Sequence, residues 1–454
     1  MTELKLGLLP LYLQLYREVA PQYNEKVEAF ADQIAAALCR PGVSVTTAPV
    51  SAVSEEISTS VKMLEQENVD AIVTLHLAYS PSLEAIDALT STDLPLIMLD
   101  TTPDFEYPED HSTLMGNHGI HGVQDLANLL RRRCRPYRLV VGHWVESNVL
   151  EETVNAARAA KCARAFRNSR VGRIGGDFKG MGDFVISPEA MEALGIEVVR
   201  FDAAKHVCTL EEKEIADCVQ QLQAYPVVDK GDVSANLRST AVASLLTRRF
   251  IETEKLTAFT CSFLDAHQVG VPSPPFAEAC FAMSCGIGYA GEGDALDAAW
   301  LGALLKVFPA VTFTEMFTPD WKNNLVYLSH MGEVNVALLE APSLRLQGGS
   351  YLPDPKPLSF VGSLKKGHAT IANLTPGPGD TMQITTASGE LIPYPETGCK
   401  RISAYFKPYM SLKEFLRRFS MEGGTHHSAL CYDVPEVFWD DLAGFLGIEH
   451  HHIG

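Results

Sequence analysis

The chain has 454 residues, 46% of them hydrophobic and 20% charged, and a net charge of −19. At about 100–200 residues per domain, that length implies two to four domains with ample core. The acidic balance argues against nucleic acid as a partner, because phosphate contacts need clustered Lys and Arg.

The N-terminal stretch MTELKLGLLPLYLQLY has no basic region ahead of its apolar run, carries Glu3 and offers no small-residue cleavage site, so no signal peptide is expected. Its LKLGLLPLYL portion reads as a first strand. VEAFADQIAAAL follows with helical spacing of Val27, Phe30, Ile34 and Leu38. VTTAPV reads as a short strand, SEEISTSVKMLEQE as a helix, VDAIVTLHL as a continuous apolar strand, and SLEAIDAL as a helix. LPLIMLD is a strand, VQDLANLLRRR a helix and YRLVVGHW a strand. The run Arg131-Arg132-Arg133 with Arg135 reads as the charged end of a surface helix. Continuous apolar strands between amphipathic helices predict a parallel sheet covered on both faces. No GxGxxG motif is present, so a dinucleotide is not indicated.

A second α/β stretch is expected from about 151 to 309. Asn148 to Arg167 reads as a helix, RVGRIGG and GIEVVRFD as strands, with a glycine-rich GGDFKGMGDF loop between them. Helices are expected over Glu211–Ala224, Leu237–Glu254, Ala277–Cys285 and Ala295–Val307, with LTAFTCSF as a strand. From about 310 to 454 the character changes to short β-type runs: VTFTEMFT, NLVYLSHM, EVNVALLE, LSFVGSL, HATIANLT, TMQITTAS and RISAYFKP. These predict an antiparallel sheet or small barrel, closed by helices at SLKEFLRRF and VPEVFWDDLAGFLG. The terminal EHHHIG reads as surface without a role. No segment reaches the roughly 18 apolar residues of a membrane span. Ten cysteines (39, 134, 162, 208, 218, 261, 280, 285, 399, 431) lie scattered without a CxxC. They read as reduced, mostly buried thiols of a cytoplasmic protein, and no zinc–thiolate site is expected.

Three segments carry candidate chemistry. Glu315 is the only charge in VFPAVTFTEMF, so burial is expected, and Glu333 sits in SHMGEVN between residues untypical of a solvated edge. A buried carboxylate needs a partner, and a metal cation is an effective one. In GGTHHSAL, His426 and His427 point in different directions, so one can bind a metal while the other meets substrate or packs. Carboxylates with imidazole suit Mn²⁺, Mg²⁺ or Co²⁺ better than copper or structural zinc. GYAGEGDALDAAW reads as a glycine-flanked turn into a helix, with room for close approach of a ligand or another domain. MGNHGIHG places Asn117, His118 and His121 at a strand end, consistent with recognition of sugar hydroxyls.

GYAGEGD, then TFTEMFTPDWKNNLVYLSHMGEVN, then GGTHHSAL, together with GNHGIHG, LVVGHW and TAFTCSFLDAH, resemble the L-arabinose isomerase and L-fucose isomerase superfamily. The order fits arabinose isomerases best over roughly residues 5 to 445. The resemblance implies two Rossmann-like (flavodoxin-like) parallel-sheet domains, 1–150 and 151–309, and a C-terminal antiparallel β-rich, barrel-like domain, 310–454. It implies a cytoplasmic aldose–ketose isomerase using Mn²⁺ and a homo-oligomer, trimer or hexamer, with sites between subunits. Glu315 and Glu333 would then be metal ligands and acid/base groups, with His426 or His427 as a further ligand. His121 would reach a neighbour's site, and Phe178 and Phe263 would line the sugar pocket. The resemblance also implies a histidine ligand ahead of a GG turn. Here Leu344 and Arg345 precede Gly348-Gly349, and Arg345 suits an anionic group on the substrate. Leu9-Pro10-Leu11-Tyr12 replaces the family's Gln-His dipeptide, so substrate contacts differ there.

The expected reaction moves a proton between C2 and C1 of a pentose, deoxysugar or related sugar through a metal-stabilised cis-enediol. Alternatives are an epimerase on a modified or acid sugar, and a non-catalytic sugar-binding or regulatory relative.

Overall fold

The computed structural model describes residues 3–106, 116–392 and 401–454. The chain divides into two compact units, 1–164 with 435–447, and 165–434 with 448–454.

The first unit holds a five-stranded parallel sheet of β1 (Leu4–Leu11), β2 (Val43–Thr47), β3 (Ala71–His76), β4 (Leu96–Asp100) and β5 (Tyr137–Val141). The order β2-β1-β3-β4-β5 is that of a doubly wound flavodoxin-like sheet. β3 is buried at every position, as a strand covered on both faces must be. The helix Asn24–Leu38 buries Val27, Phe30, Ala31, Ile34 and Leu38, one stripe at helical spacing. The late helix Glu436–Leu446 returns to this unit, where Asp441 pairs with Arg138 of β5 at 2.5 Å.

The second unit opens with a four-stranded parallel sheet, order β7-β6-β8-β9, of β6 (Arg170–Ile174), β7 (Glu197–Arg200), β8 (Ala258–Cys261) and β9 (Gly288–Gly291). It continues into nine mostly antiparallel strands. These are β10 (Val311–Asp320), β11 (Leu325–Ser329), β12 (Ser343–Leu346), β13 (Leu358–Ser363), β14 (Gly367–Pro376), β15 (Met382–Ile392), β16 (Ile402–Pro408), β17 (His427–Tyr432) and β18 (Glu449–His452). The order is β12-β13-β16-β11-β10-β17-β14-β15-β18, and β15 also pairs with β16. That extra pairing closes β16, β11, β10, β17, β14 and β15 into a ring, so the barrel alternative is the one realised. The β13–β16 and β15–β18 pairings are parallel, which makes the sheet mixed rather than purely antiparallel.

One helix joins both halves of this unit. Ala295–Leu305 is buried at all eleven positions and touches β6, β8 and β9 on one side and β10, β14 and β17 on the other. A helix that is apolar all round belongs in a core. Its Trp300 is fully buried and donates Nε1–H to the Ala372 carbonyl at 3.2 Å. Truncating such a tryptophan to alanine costs about 3–5 kcal/mol.

Three local expectations need correction. EVNVALLE is not a strand: Asn335 caps a single 3-10 turn, Val336–Leu338, by accepting from the Ala337 amide. EHHH is not free surface, since it forms β18 in register with Gln383–Thr386 of β15. Asn117 and His118 lie at the start of the helix Gly119–Arg132, which contains His121, rather than at a strand end. Among the described residues five cysteines are buried, four are exposed and none is in a disulfide; Cys399 lies outside the described residues. No described helix is long and apolar enough to cross a membrane.

Candidate metal centre and active site

β10 runs between β17 and β11 in the barrel ring, and its register sets the site. Glu315 is opposite His427 on β17 and opposite Ser329 on β11. A register shift between Met316 and Thr318 follows immediately, a bulge of the kind found beside active sites. The sheet therefore brings Glu315, His427 and the residue after Ser329, His330, together from segments roughly 15 and 110 residues apart in sequence.

The turn ahead of β17 is locked from β14. Buried Asn373 donates Nδ2–H to the Thr425 hydroxyl (2.7 Å), to the Ser428 hydroxyl (3.0 Å) and to the His427 carbonyl (2.5 Å). His427 is fully buried, while the His426 side chain is 37% exposed.

A fourth group comes from the turn between β9 and the helix Ala295–Leu305. Glu292 has φ +61°, a left-handed conformation uncommon for a residue with a side chain and frequent at functional sites. The glycines on either side are required by close approach. A Cβ on Gly291 would meet His330 Cε1 at 2.7 Å, and one on Gly293 would meet the Gly176 carbonyl oxygen at 2.5 Å. The Glu292 carbonyl also accepts from the Phe178 amide at 3.2 Å.

Glu292, Glu315, His426 and His427 offer ligand atoms that all lie within 4.8 Å of one another. His427 Nε2 is 3.1 Å from Glu315 Oε1 and 3.6 Å from Glu292 Oε2, and His426 Nε2 is 3.5 Å from Glu292 Oε2. These short approaches are not hydrogen bonds: Glu292 Oε2, His426 Nε2 and His427 Nε2 are buried atoms without a hydrogen-bond partner. The opposite ring nitrogens are occupied. His427 Nδ1 donates to Asp294 Oδ2 at 2.9 Å, and His426 Nδ1 donates to Asp183 Oδ2 at 2.8 Å. Asp183 Oδ2 also accepts the His426 amide at 2.9 Å. A carboxylate on Nδ1 fixes the tautomer that presents Nε2 to a cation. Phe184 stacks on His427, with centroids 4.8 Å apart and planes at 16°.

His330 is the third imidazole. Its Nε2 is 2.9 Å from Glu315 Oε1 and its Nδ1 is 2.6 Å from Glu333 Oε2, while the Tyr289 hydroxyl donates to Glu333 Oε1 at 2.9 Å. Glu333, 1% exposed, stands outside the converging group, with both oxygens engaged. It sits in a loop after β11 rather than in a strand. Leu344 and Arg345, which stand where the resemblance implies a histidine ahead of Gly348-Gly349, lie on β12.

The electrostatics are those of a crowded acid–base cluster. Burial alone would raise the Glu292 carboxyl, but the His426 and His427 rings hold it down at about 2. Glu315 is driven lower still by His330 and His427 despite its burial. Burial would lower His330, yet Glu333 and Glu315 push it up to about 10, and Asp183 and Glu292 push His426 up to about 9. In each case the carboxylates facing the ring favour its protonated form. Two carboxylates and two or three imidazoles around unpartnered buried atoms fit a borderline-hard divalent cation.

The aromatic candidates form a separate group in the same unit. Phe178 and Phe263 are 5.7 Å apart and Phe263 lies 5.8 Å from Tyr351, packed with Phe276, Leu352 and Met331, the neighbour of His330. Asn117, His118 and His121 belong to the first unit. His118 and His121 rings are 4.2 Å apart, and Asn117 exchanges hydrogen bonds with the Asp104 backbone. Sequence reasoning missed Glu292, Asp294, His330 and Asp183. The glycine-flanked GEGD was a signal for Glu292, and His330 stood beside Glu333, but nothing in the sequence tied Asp183 to a residue 243 positions away.

Two family models match, the L-arabinose isomerase N-terminal domain over 14–168 and the L-arabinose isomerase C-terminal domain over 310–449. Proteins named L-arabinose isomerase are similar over most of their length. That of Clostridium beijerinckii is 26% identical over 84% of this chain and 81% of its own. That of Herpetosiphon aurantiacus is 26% identical over 95% and 91%, and that of Thermotoga neapolitana 27% over 94% and 90%. A periplasmic solute-binding protein of Actinobacillus succinogenes, solved with bound D-allose, covers 67% of this chain and 92% of its own, but at 14% identity and a TM-score of 0.18 it carries no argument. The chain belongs to the L-arabinose isomerase family.

Proposed function

We propose that this protein is a metal-dependent aldose–ketose isomerase acting on L-arabinose or a related pentose or deoxysugar through a cis-enediol. The observation that carries the reading is the convergence of Glu292, Glu315, His426 and His427 on one point, with the outer nitrogen of each histidine held by a carboxylate. These four residues, with His330 beside them, would hold Mn²⁺, or alternatively Mg²⁺ or Co²⁺. When bound, such an ion polarises O1 and O2 of the sugar and makes the C2 hydrogen more acidic.

The chain's own residues do the rest. Glu292 and Glu315 are the carboxylates that face the convergence, and both remain ionised, as a base must. One of them takes the C2 proton and returns it at C1, while the second carries the hydroxyl proton from O2 to O1, so that aldose and ketose balance. Glu333 keeps the His330 ring oriented, since its oxygens are taken by His330 and Tyr289. Phe184 covers His427 and limits water there. Phe178 and Phe263 offer an apolar wall for the sugar's carbon face. Assembly into trimers or hexamers, with His121 serving a neighbouring subunit, belongs to the same proposal. It fails if sedimentation shows a fully active monomer.

The test is a Mn²⁺-supplemented screen of aldoses, ketoses and sugar acids in D₂O, read by NMR. Conversion of one aldose with deuterium entering at C1 or C2 is the expected result. Conversion without any exchange across conditions would replace proton transfer by a hydride shift. No conversion together with no bound metal would end the isomerase reading.

A further inference from the structure

β6 ends at Ile174 and the next helix begins at Pro188, so residues 175–187 form a long loop without helix or strand. Loops of such length inside compact domains are commonly lids or binding loops. The first part is held by the sheet it leaves. Asp177 pairs with Arg173 of β6, and the Gly176 amide donates at 3.4 Å to Asp265, which lies beyond the carboxyl end of β8.

From Phe178 onward the partners change. The Phe178 amide donates to the carbonyl of Glu292, beyond the carboxyl end of β9. Asp183 Oδ2 accepts from both the amide and Nδ1 of His426, and Phe184 stacks on His427 at the start of β17. Residues 178–184 thus cross the carboxyl ends of the parallel sheet, the side on which such sheets bind ligands. Among the described residues, every hydrogen bond from 178–184 to the rest of the chain ends on Glu292 or His426, two members of the metal cluster.

Between those two ties the chain is loosely held. Residues 179–182 make one hydrogen bond among the described residues, from the Met181 amide to the Phe178 carbonyl at 3.4 Å, inside the stretch itself. Lys179, Gly180 and Gly182 are exposed. A Cβ on Gly180 or Gly182 would meet nothing within 4 Å, so close approach imposes neither glycine, and both add backbone freedom. Behind the stretch lies a cavity of about 600 Å³, lined by Phe184, Val185 and Ile186 on one side and by Gly293 and Leu296 on the other, which leaves room for movement.

We propose that residues 178–184 are a strap that closes over the metal cluster, and that closure and ion binding support each other through Asp183 and His426. The proposal rests on the metal-binding reading given above. An ion held at His426 Nε2 fixes the ring and so holds Nδ1 against Asp183, and a strap held by Asp183 presents Nε2 to the ion. Coupling of this kind is reciprocal. The open strap admits the sugar, and the closed strap keeps water from the enediol.

Lys179 is the only lysine or arginine between Arg173 and Arg200, so trypsin reads the strap at one bond. The full-length protein is digested briefly after EDTA treatment and again with saturating Mn²⁺, and the new terminus at Gly180 is followed by mass spectrometry. The cut after the exposed Lys230, in another loop of the same unit, serves as the internal control. Mn²⁺ is expected to slow the Lys179 cut about 10-fold and to leave the Lys230 cut unchanged. In Asp183→Ala, whose fold is checked by circular dichroism, the protection should fall below about twofold at Mn²⁺ saturating for that variant. Chelator competition reports bound Mn²⁺ separately. Bound Mn²⁺ without protection, equal slowing of both cuts, or full protection in Asp183→Ala overturns the strap and leaves the metal reading standing. No bound Mn²⁺ overturns both.

Discussion

Two clusters in the second unit mix histidine with carboxylate, and they differ in one respect. Around Glu254, Lys205, His206 and Arg170 all donate to a single buried carboxylate, so its oxygens are satisfied from every side. Around Glu292 and Glu315 the charges are just as dense, but three buried atoms, one oxygen and two Nε2 nitrogens, are left without a hydrogen bond. Density of charge therefore does not identify a site. Atoms that are buried, aimed at one point and unsatisfied do, because such atoms cost free energy unless something fills the gap.

The contrast predicts opposite outcomes for the same type of substitution. Glu292→Gln or Glu315→Gln is expected to lower kcat by about 10³-fold and to weaken metal retention, with the circular dichroism spectrum intact. Activity within a few-fold of the parent in either variant would show that the open cluster is not the reacting centre. Asp183→Asn and Asp294→Asn leave the ligands in place but loosen their rings, and each should cost about 10–100-fold in Mn²⁺ affinity, measured by chelator competition. Unchanged affinity would mean that ring orientation is set by packing alone. Glu254→Gln should lower the melting temperature and leave kcat untouched, which steady-state assays and scanning calorimetry read together.

The smallest expected effect is one of pH. The three donors, Lys205 first, hold the Glu254 carboxyl at about 2, below its ordinary 4.5. A depressed acid contributes stability that is fully present above 4.5 and is lost as pH falls through about 2. Denaturant titrations of the parent against Glu254→Gln should therefore converge between those values and differ by a constant amount above them. Parallel curves throughout would remove Glu254 from the acid response.

Much of the frame was legible because it follows from periodicity. Buried strands such as Ala71–His76 are apolar without interruption, and helices such as Asn24–Leu38 show their stripe plainly. Glu315 and the His426-His427 pair were legible because a charge in an apolar strand, and imidazoles after a glycine turn, are chemically out of place. What escaped depends on contacts that no local pattern records. EVNVALLE has strand composition, yet Gly332 at φ +145° and the Asn335 cap turn it into a loop. EHHH has no apolar alternation, and only its pairing with β15 makes it a strand. The partners of Glu333, Tyr289 and His330, are likewise set by tertiary packing.

The donors of the open cluster are mounted in two different ways. Glu315 and His427 ride on neighbouring strands, and His330 follows directly on a third, so their separations are ruled by the sheet's own spacing of about 4.8 Å. Glu292 hangs from a left-handed turn pressed against Gly176 and tied to Phe178. The sheet sets one side of the cluster by strand spacing, and the turn sets the other through local contacts. Adaptation to an ion of another radius would thus be written in residues 176–178 and 291–294, while β10 and β17 stay as they are.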